Sequence, residues 1–160
     1  LTLKKAIALT LILCILRQLR SKVIREVSYE DLQYIYDLGK ELDPKYADLY
    51  DLRKVLADKN QKIYGYYKNN IILGFIHLTI SFDEADIVDI NIQKDFRNQG
   101  LGSSMINYAL CTNNLKKLNL EVRENNINAI KFYEKLGFVK VRTIKNYYGN
   151  EDAFFMIKVL

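Results

Sequence analysis

Arg97, Gly100 and Gly102 stand in the run Gln93-Lys94-Asp95-Phe96-Arg97-Asn98-Gln99-Gly100-Leu101-Gly102, which follows an alternating apolar stretch ending at Ile92 and opens a helical pattern. A strand that stops at a glycine turn and feeds a helix leaves backbone N–H groups pointing outward at the helix's positive end, and that geometry binds phosphate. Gly100 and Gly102 allow the backbone to close on an anion, and Arg97 adds charge. The plain alternative is a glycine turn between two elements. The run lacks the Lys-Ser/Thr ending of a nucleotide-hydrolysing P-loop and the three spaced glycines of a dinucleotide fold. Proton chemistry needs titratable groups, and four stand out: Asp89 and Glu121 within strand patterns, His77 in an apolar strand, and Tyr133. Three of them also have a structural reading. Ala129, Phe132, Tyr133 and Leu136 form a helical stripe that packs a core, Glu121 can face Arg123 or solvent, and His77 reads as a packed imidazole.

These residues must be held by elements that the spacing predicts. Val23 to Val27 alternates as a strand, and Ser28 with Asp31 resembles a capping box. Leu32, Ile35 and Leu42 mark a helical face that ends near Asp43-Pro44, and a second helix is expected over Ala47 to Leu56, with Leu49, Leu52 and Leu56 inward. β-rich runs Lys62 to Lys68 and Ile71 to Ile80 flank Asn69-Asn70, a pair suited to a tight hairpin. Glu84 to Ile92 continues the antiparallel meander. A helix over Leu101 to Cys111, a strand over Lys117 to Arg123 and a helix over Asn126 to Leu136 capped by Gly137 come next. Strands Phe138 to Lys145 and Ala153 to Val159 close the chain around Gly149-Asn150. Together they describe one α/β domain over residues 23–160 with a mixed, largely antiparallel sheet and flanking helices.

Charge narrows the classes of partner. The 160 residues carry 24 basic and 19 acidic side chains. Lys4, Lys5, Arg17, Arg20 and Lys22 fall in residues 1–22, which contain no acid, so the remainder balances at 19 against 19. A neutral body argues against a phosphate-backbone partner. Segment 1–22 is an apolar, basic extension whose unbroken apolar run is too short to span a bilayer. It ends in arginines with no small-residue cleavage site. A helix lying on the domain or a piece of an upstream extension accounts for it equally well. Cys14 and Cys111 form no CxxC pair and have no neighbouring His, so no metal site is expected, and a reducing, cytoplasmic setting is the simpler reading.

The ordered motifs resemble the GNAT superfamily of acetyl-coenzyme A dependent N-acetyltransferases. Arg97, Gly100 and Gly102 match its pyrophosphate loop, Arg/Gln-x-x-Gly-x-Gly/Ala, and the likeness runs on through LEVRENNINAIKFYEKLGF (Leu120 to Phe138) and NYYGNEDAFFM (Asn146 to Met156). Within the superfamily the chain is most similar to the RimI-type ribosomal-protein alanine N-acetyltransferases. The resemblance implies a splayed sheet in which Ile90, Asn91 and Ile92 pair through their backbone with the pantetheine arm of acetyl-coenzyme A. The pyrophosphate would lie over the amides of Arg97, Asn98, Gln99, Gly100, Leu101, Gly102 and Ser103, with Asn126 further along the arm. It implies direct attack by an amine in a ternary complex. Glu121 would be the general base through water and Tyr133 the acid that protonates the leaving sulfur, with a strand amide near Ile92 as oxyanion donor. Asp89 is the reserve base, because it shares a strand face with Asn91.

The acceptor implied is a primary amine, foremost a protein N-terminal α-amine. Tyr147 and Tyr148 match an aromatic pair near the acceptor side. RimI-type enzymes carry an aromatic-Pro-Trp segment where this chain has Lys40-Glu41-Leu42-Asp43-Pro44-Lys45-Tyr46, and there is no Trp anywhere. Family members often have Pro where Gln93-Lys94-Asp95 stands here. Acetylation of a lysine or a small-molecule amine, and a non-catalytic acyl-coenzyme A binding module, are the alternatives. Neither nucleic acid nor a membrane span is expected.

Overall fold

The computed structural model describes residues 23–160; the extension over residues 1–22 lies outside the described residues. The elements in chain order are β1 (Val23–Glu26), α1 (Leu32–Lys40), α2 (Tyr46–Leu49), α3 (Leu52–Ala57), β2 (Gln61–Lys68), β3 (Ile71–Ser81) and β4 (Glu84–Ile92). They continue with α4 (Leu101–Thr112), β5 (Lys117–Arg123), α5 (Ile127–Lys135), β6 (Val139–Ile144) and β7 (Ala153–Val159). The strands form a 7-stranded sheet ordered β1-β2-β3-β4-β5-β7-β6. Every neighbouring pair is antiparallel except β4 and β5, which run parallel. The helix α4 makes the crossover that a parallel pair requires.

Alternation along the strands feeds two cores. Ile76, Leu78, Ile87, Leu118, Leu120 and Met156 face α4 and α5, where Met105, Ile106 and Ala109 are fully buried. On the opposite face Ile63, Ile72 and Phe75 pack under Leu32, Ile35, Leu38, Tyr46 and Leu52. The sheet is thus covered on both sides. Asn69 and Asn70 adopt φ of 51° and 65° at the β2–β3 turn, and Gly137 at φ 89° ends α5, both as the sequence indicates.

The region before β2 departs from the expected pattern. The capping box is present, with the Ser28 N–H donating to Asp31 Oδ2 at 2.8 Å, but it heads a 3-10 turn before α1 begins. The helix ends at Lys40, and Leu38 rather than the exposed Leu42 completes its buried face. The single helix expected over Ala47 to Leu56 is two. Tyr50 and Asp51 are extended between α2 and α3, and Leu49 faces solvent. The Tyr36 hydroxyl bridges the break, donating to the Tyr50 carbonyl at 3.3 Å and accepting from the Leu52 N–H at 3.0 Å. Leucine spacing alone does not reveal a break bridged from another helix.

Gly39 matters for a reason of space. It lies on the buried side of α1, and a Cβ there would sit 2.2 Å from the ring of buried Tyr46. An exposed helix position would gain stability from Gly→Ala. Here Gly39→Ala is expected to destabilise the fold by about 1–3 kcal/mol, the ordinary cost of overpacking, in a urea titration of parent and variant. Equal or raised stability would contradict the packing described.

Candidate active site

The parallel pairing of β4 and β5 runs only from Glu84 opposite Lys117 to Ile87 opposite Leu120. Immediately beyond it, Val88 has no partner on the other side either, because Ile87 lies opposite Leu78 and Asp89 opposite His77. One extra residue on one strand is a β-bulge, which bends that strand and strengthens its local twist. From Val88 onward β4 stays with β3 and leaves β5. The resulting cleft, about 390 Å³, lies between the diverging strands and is closed by the start of α5 and by the segment from Leu42 to Tyr50.

Backbone orientation decides what the gap offers. Antiparallel pairing alternates, and the Gln93 N–H donates to the Leu73 carbonyl at 2.8 Å. By that alternation the peptide groups of Asp89 and Asn91 turn to β3, while those of Ile90 and Ile92 turn to the gap. The Ile92 carbonyl accordingly accepts from Arg97 Nε at 2.8 Å. Asn91, expected to pair with a pantetheine arm, is instead committed elsewhere. Its buried side chain donates to the Leu38 carbonyl at 2.7 Å and accepts from Arg97 at 3.3 Å.

The glycine loop has the form that anion binding needs. Gly100 precedes α4 with φ 82°, a left-handed conformation natural to glycine, and a Cβ on it would meet nothing within 4 Å. The N–H groups of Asn98, Gln99 and Gly100 reach no protein acceptor among the described residues. Those of Leu101, Gly102 and Ser103 belong to a helical first turn, which leaves them without intrahelical partners. Two details differ from the sequence reading. Gly102 is small because the Phe132 ring lies 2.9 Å from where its Cβ would be. The Arg97 guanidinium folds back onto β4 and onto Glu41, at 3.4 Å. It braces the loop from behind.

Asp89, Glu121, Asn126 and Tyr133 all line the cleft. Asp89 and Glu121 stand just past the fork, one on each diverging strand. Burial, with the Asp43 charge, pushes the Asp89 carboxyl up to about 7 against the pull of the Tyr50 hydroxyl. Its Oδ2 is buried without a hydrogen-bond partner among the described residues. Burial and the Asp86 charge also raise Glu121, with Arg142 acting in the opposite direction. Tyr133 is buried against Phe132 and Phe138, with ring centroids at 5.2 and 5.5 Å, and burial drives its hydroxyl well above the ordinary range. It therefore both packs the core and reaches the cleft. Asn126 caps α5 through the Ala129 N–H at 3.2 Å.

His77 is the packed imidazole expected from sequence. It bonds Gln61 Oε1 through Nε2 at 2.8 Å, and burial lowers it to about 4. Of the aromatic pair, Tyr148 lines the cleft while Tyr147 packs edge-on against it from outside. Sequence reasoning missed Asp43, Tyr46 and Tyr50, which complete the wall opposite Glu121. Two tyrosines four apart after Asp43-Pro44 were the available signal, masked by the single-helix reading.

Residues 25–138 match the model of the Acetyltransferase (GNAT) family. The N-alpha-acetyltransferase of Sulfolobus acidocaldarius is 34% identical over 109 residues, 63% of this chain and 65% of that protein. The ribosomal protein bS18 alanine N-acetyltransferase of Escherichia coli strain K12 is 35% identical over 98 residues, 56% of this chain and 65% of that protein. Each match thus spans just under two thirds of the relative's length. The Arabidopsis thaliana Naa50 structure, in complex with the bisubstrate analogue CoA-Ac-MVNAL, superposes with a TM-score of 0.69 at 28% identity, covering 88% of this chain and 99% of that one.

The Asp89 environment makes a stability prediction. Its proton is held to about 7 in the fold but released near 3.8 in the unfolded chain. Between those values the native state binds more protons, so stability falls as pH rises. His77 acts oppositely, losing stability as pH falls from 6.5 toward about 4, but it is common to parent and variant and cancels in the difference. Asp89→Asn, which does not titrate, should gain melting temperature over the parent progressively from about pH 4 to 7 and hold that gain above. A difference that does not change with pH would show that Asp89 is not desolvated as described.

Proposed function

The chain belongs to the GNAT family of acetyltransferases, and on that premise we propose that it moves acetyl from acetyl-coenzyme A to a primary amine, the N-terminal α-amine of a protein. The observation that carries the proposal is the open fork. The free peptide edge of Ile90 and Ile92 leads directly into a loop of unpaired amides, beside a cleft lined with carboxylates and tyrosines. An extended amide-bearing arm fits the free edge, as an added strand does. A diphosphate fits the loop, whose amides and helix terminus favour negative charge. The relatives named for N-terminal acetylation support the acceptor class, and cytoplasmic work on a protein substrate belongs to the same reading.

Direct transfer sets three requirements, and this reading assigns each a residue. The thioester carbonyl needs a donor for its developing negative charge, and the Ile92 N–H turned into the gap is suited to it. The departing thiolate needs a proton, and Tyr133 supplies it from a buried hydroxyl at the base of α5. The incoming ammonium must lose a proton to a carboxylate of the acceptor face. Glu121 fills the position that the family motif nominates, and Asp89 stands on the other arm of the fork. Tyr50 and Tyr148 supply the apolar walls and polar tips that a peptide N-terminus needs.

Turnover of acetyl-coenzyme A against a panel of peptides and small amines, read by mass spectrometry, tests this reading directly. Peptides with free N-termini should be acetylated. Products confined to lysine side chains or small amines would change the acceptor, and cofactor binding without any product would make the chain a binding module. Gly100→Val should abolish micromolar acetyl-coenzyme A binding, worth about 8 kcal/mol, because it places a β-branched side chain both at positive φ and over the loop. Unchanged calorimetric affinity in the folded variant would remove the loop from the cofactor site. Tyr133→Phe should keep melting temperature and cofactor affinity while turnover falls about 100-fold, about 2.7 kcal/mol of barrier. At least half the parental rate would leave Tyr133 with a packing role only.

A further inference from the structure

Asp89 and Glu121 line the cleft past the fork, one on each strand, and a proton must leave the ammonium before its nitrogen can attack. We propose that Asp89 takes that proton, while Glu121 holds the incoming ammonium by its charge. This assignment rests on the acetyltransferase reading above and divides labour within it.

The surroundings of the two groups differ in kind. Asp89 directly follows the unpaired Val88, with its peptide groups committed to β3, so the strand fixes its position. The groups facing it are Asp43 from the loop after α1, Tyr46 of α2, Tyr50 beyond it, His77 of β3, Tyr133 of α5 and Tyr148 before β7. Of these only Asp43 is charged, and it is an acid. Arg123, the cation lining the cleft, is paired to Glu151 and stacked on the Tyr148 ring at 4.1 Å. Nothing among the described residues neutralises Asp89, and its Oδ2 has no donor. Glu121 is only half-buried and has Arg142 near it, a cation working against the upward push of burial and of the Asp86 charge.

Two carboxylates whose environments separate their proton affinities take different roles. An α-ammonium releases its proton near 8. Passing it to a carboxylate near 7 is uphill by only about tenfold, against about ten-thousandfold for a carboxylate with an ordinary affinity. In the step, one N–H bond breaks, its electron pair stays on nitrogen and the proton goes to Asp89. That pair forms the C–N bond. The C–S pair then leaves on sulfur, which takes the Tyr133 proton, and the second nitrogen proton restores Tyr133. Asp89 returns its proton to solvent through the cleft. Behind Asp89, Tyr46 Oη and His77 Nδ1 are also buried without partners among the described residues. His77 Nδ1 lies on the strand position directly opposite Asp89.

The test uses the full chain, acetyl-coenzyme A and a peptide with a free N-terminal alanine, with kcat/KM followed from about pH 5.5 to 9.5. The parent should rise through a limb near 7. Asp89→Asn should fall about 100-fold at pH 7, and its limb should move up to the amine's own value, near 8, so that the deficit narrows to roughly 20-fold above about pH 9. Glu121→Gln should keep the limb near 7 and raise KM for the peptide. Asp89→Glu, which retains a carboxylate, should recover a limb below that of the amine and serves if the Asn variant fails to fold. Melting temperature and calorimetric cofactor affinity verify that the variants are intact. An Asp89→Asn profile with the parental limb, or loss of that limb in Glu121→Gln, overturns the assignment while leaving the acetyltransferase reading standing. A parent inactive on every amine offered overturns both.

Discussion

The pairing between β4 and β5 cannot continue past Ile87 and Leu120, because Val88 occupies a place in β4 for which β3 has no counterpart. A strand in the middle of a sheet normally has both edges used. Here the bulge releases one edge over a few residues while the other stays anchored, and the released peptide groups lie inside the protein rather than at its rim. Unpaired backbone in a partly buried place is costly, so the site is maintained by strong pairing elsewhere. β3 holds β4 along its whole length, and β7 holds β5 from Lys117 through Arg123. Each arm of the fork is fixed by its outer neighbour, so the opening has a defined width. A flexible gap could not hold an extended ligand in one register.

The same fork sorts the chemistry by face. On β5, Leu118, Leu120 and Val122 point into the core beneath α4, so Asn119, Glu121 and Arg123 point the other way. On β4, Asp89 and Asn91 share the face covered by α1 to α3. Leu38 and Tyr46 belong to the same apolar cluster that seals this side. Apolar walls strengthen every charge interaction within the cleft. They also explain why a carboxylate and an imidazole on opposite sheet positions, and the Tyr46 hydroxyl of α2, are all moved far from their solution behaviour.

Much of this was legible in the sequence. Strands with clear alternation, the Asn-Asn turn, the glycine-ended helix and the loop with its two glycines are local signals, and their boundaries agree with the structure to within about a residue or two. The cleft wall from Leu42 to Tyr50 was harder to read. Its helical break depends on the Tyr36 hydroxyl, fourteen residues before Tyr50 and on another helix. Non-local bonds of this kind leave no period in a sequence. Side-chain destinations were equally hidden: Arg97 carries the loop motif's charge, yet its contacts lie with Ile92, Asn91 and Glu41. Gly102 matches the motif for a packing reason. The match located residues that the fold gathers around one cleft and one loop, without revealing what each one touches.

The Asn91 amide is a surveyor's fixed point. One end grips the last inward turn of α1 through the Leu38 carbonyl, and the other meets the arginine that props up the glycine loop. Everything before Leu38 and everything after Arg97 is therefore measured from the same mark. The stretch from Leu42 to Tyr50 hangs beyond that mark. That stretch can change in length and in residue type without moving the anchor that fixes the glycine loop. Substitutions at Asn91 itself would move both coordinates together. Diversification is thereby channelled to one side of a single side chain.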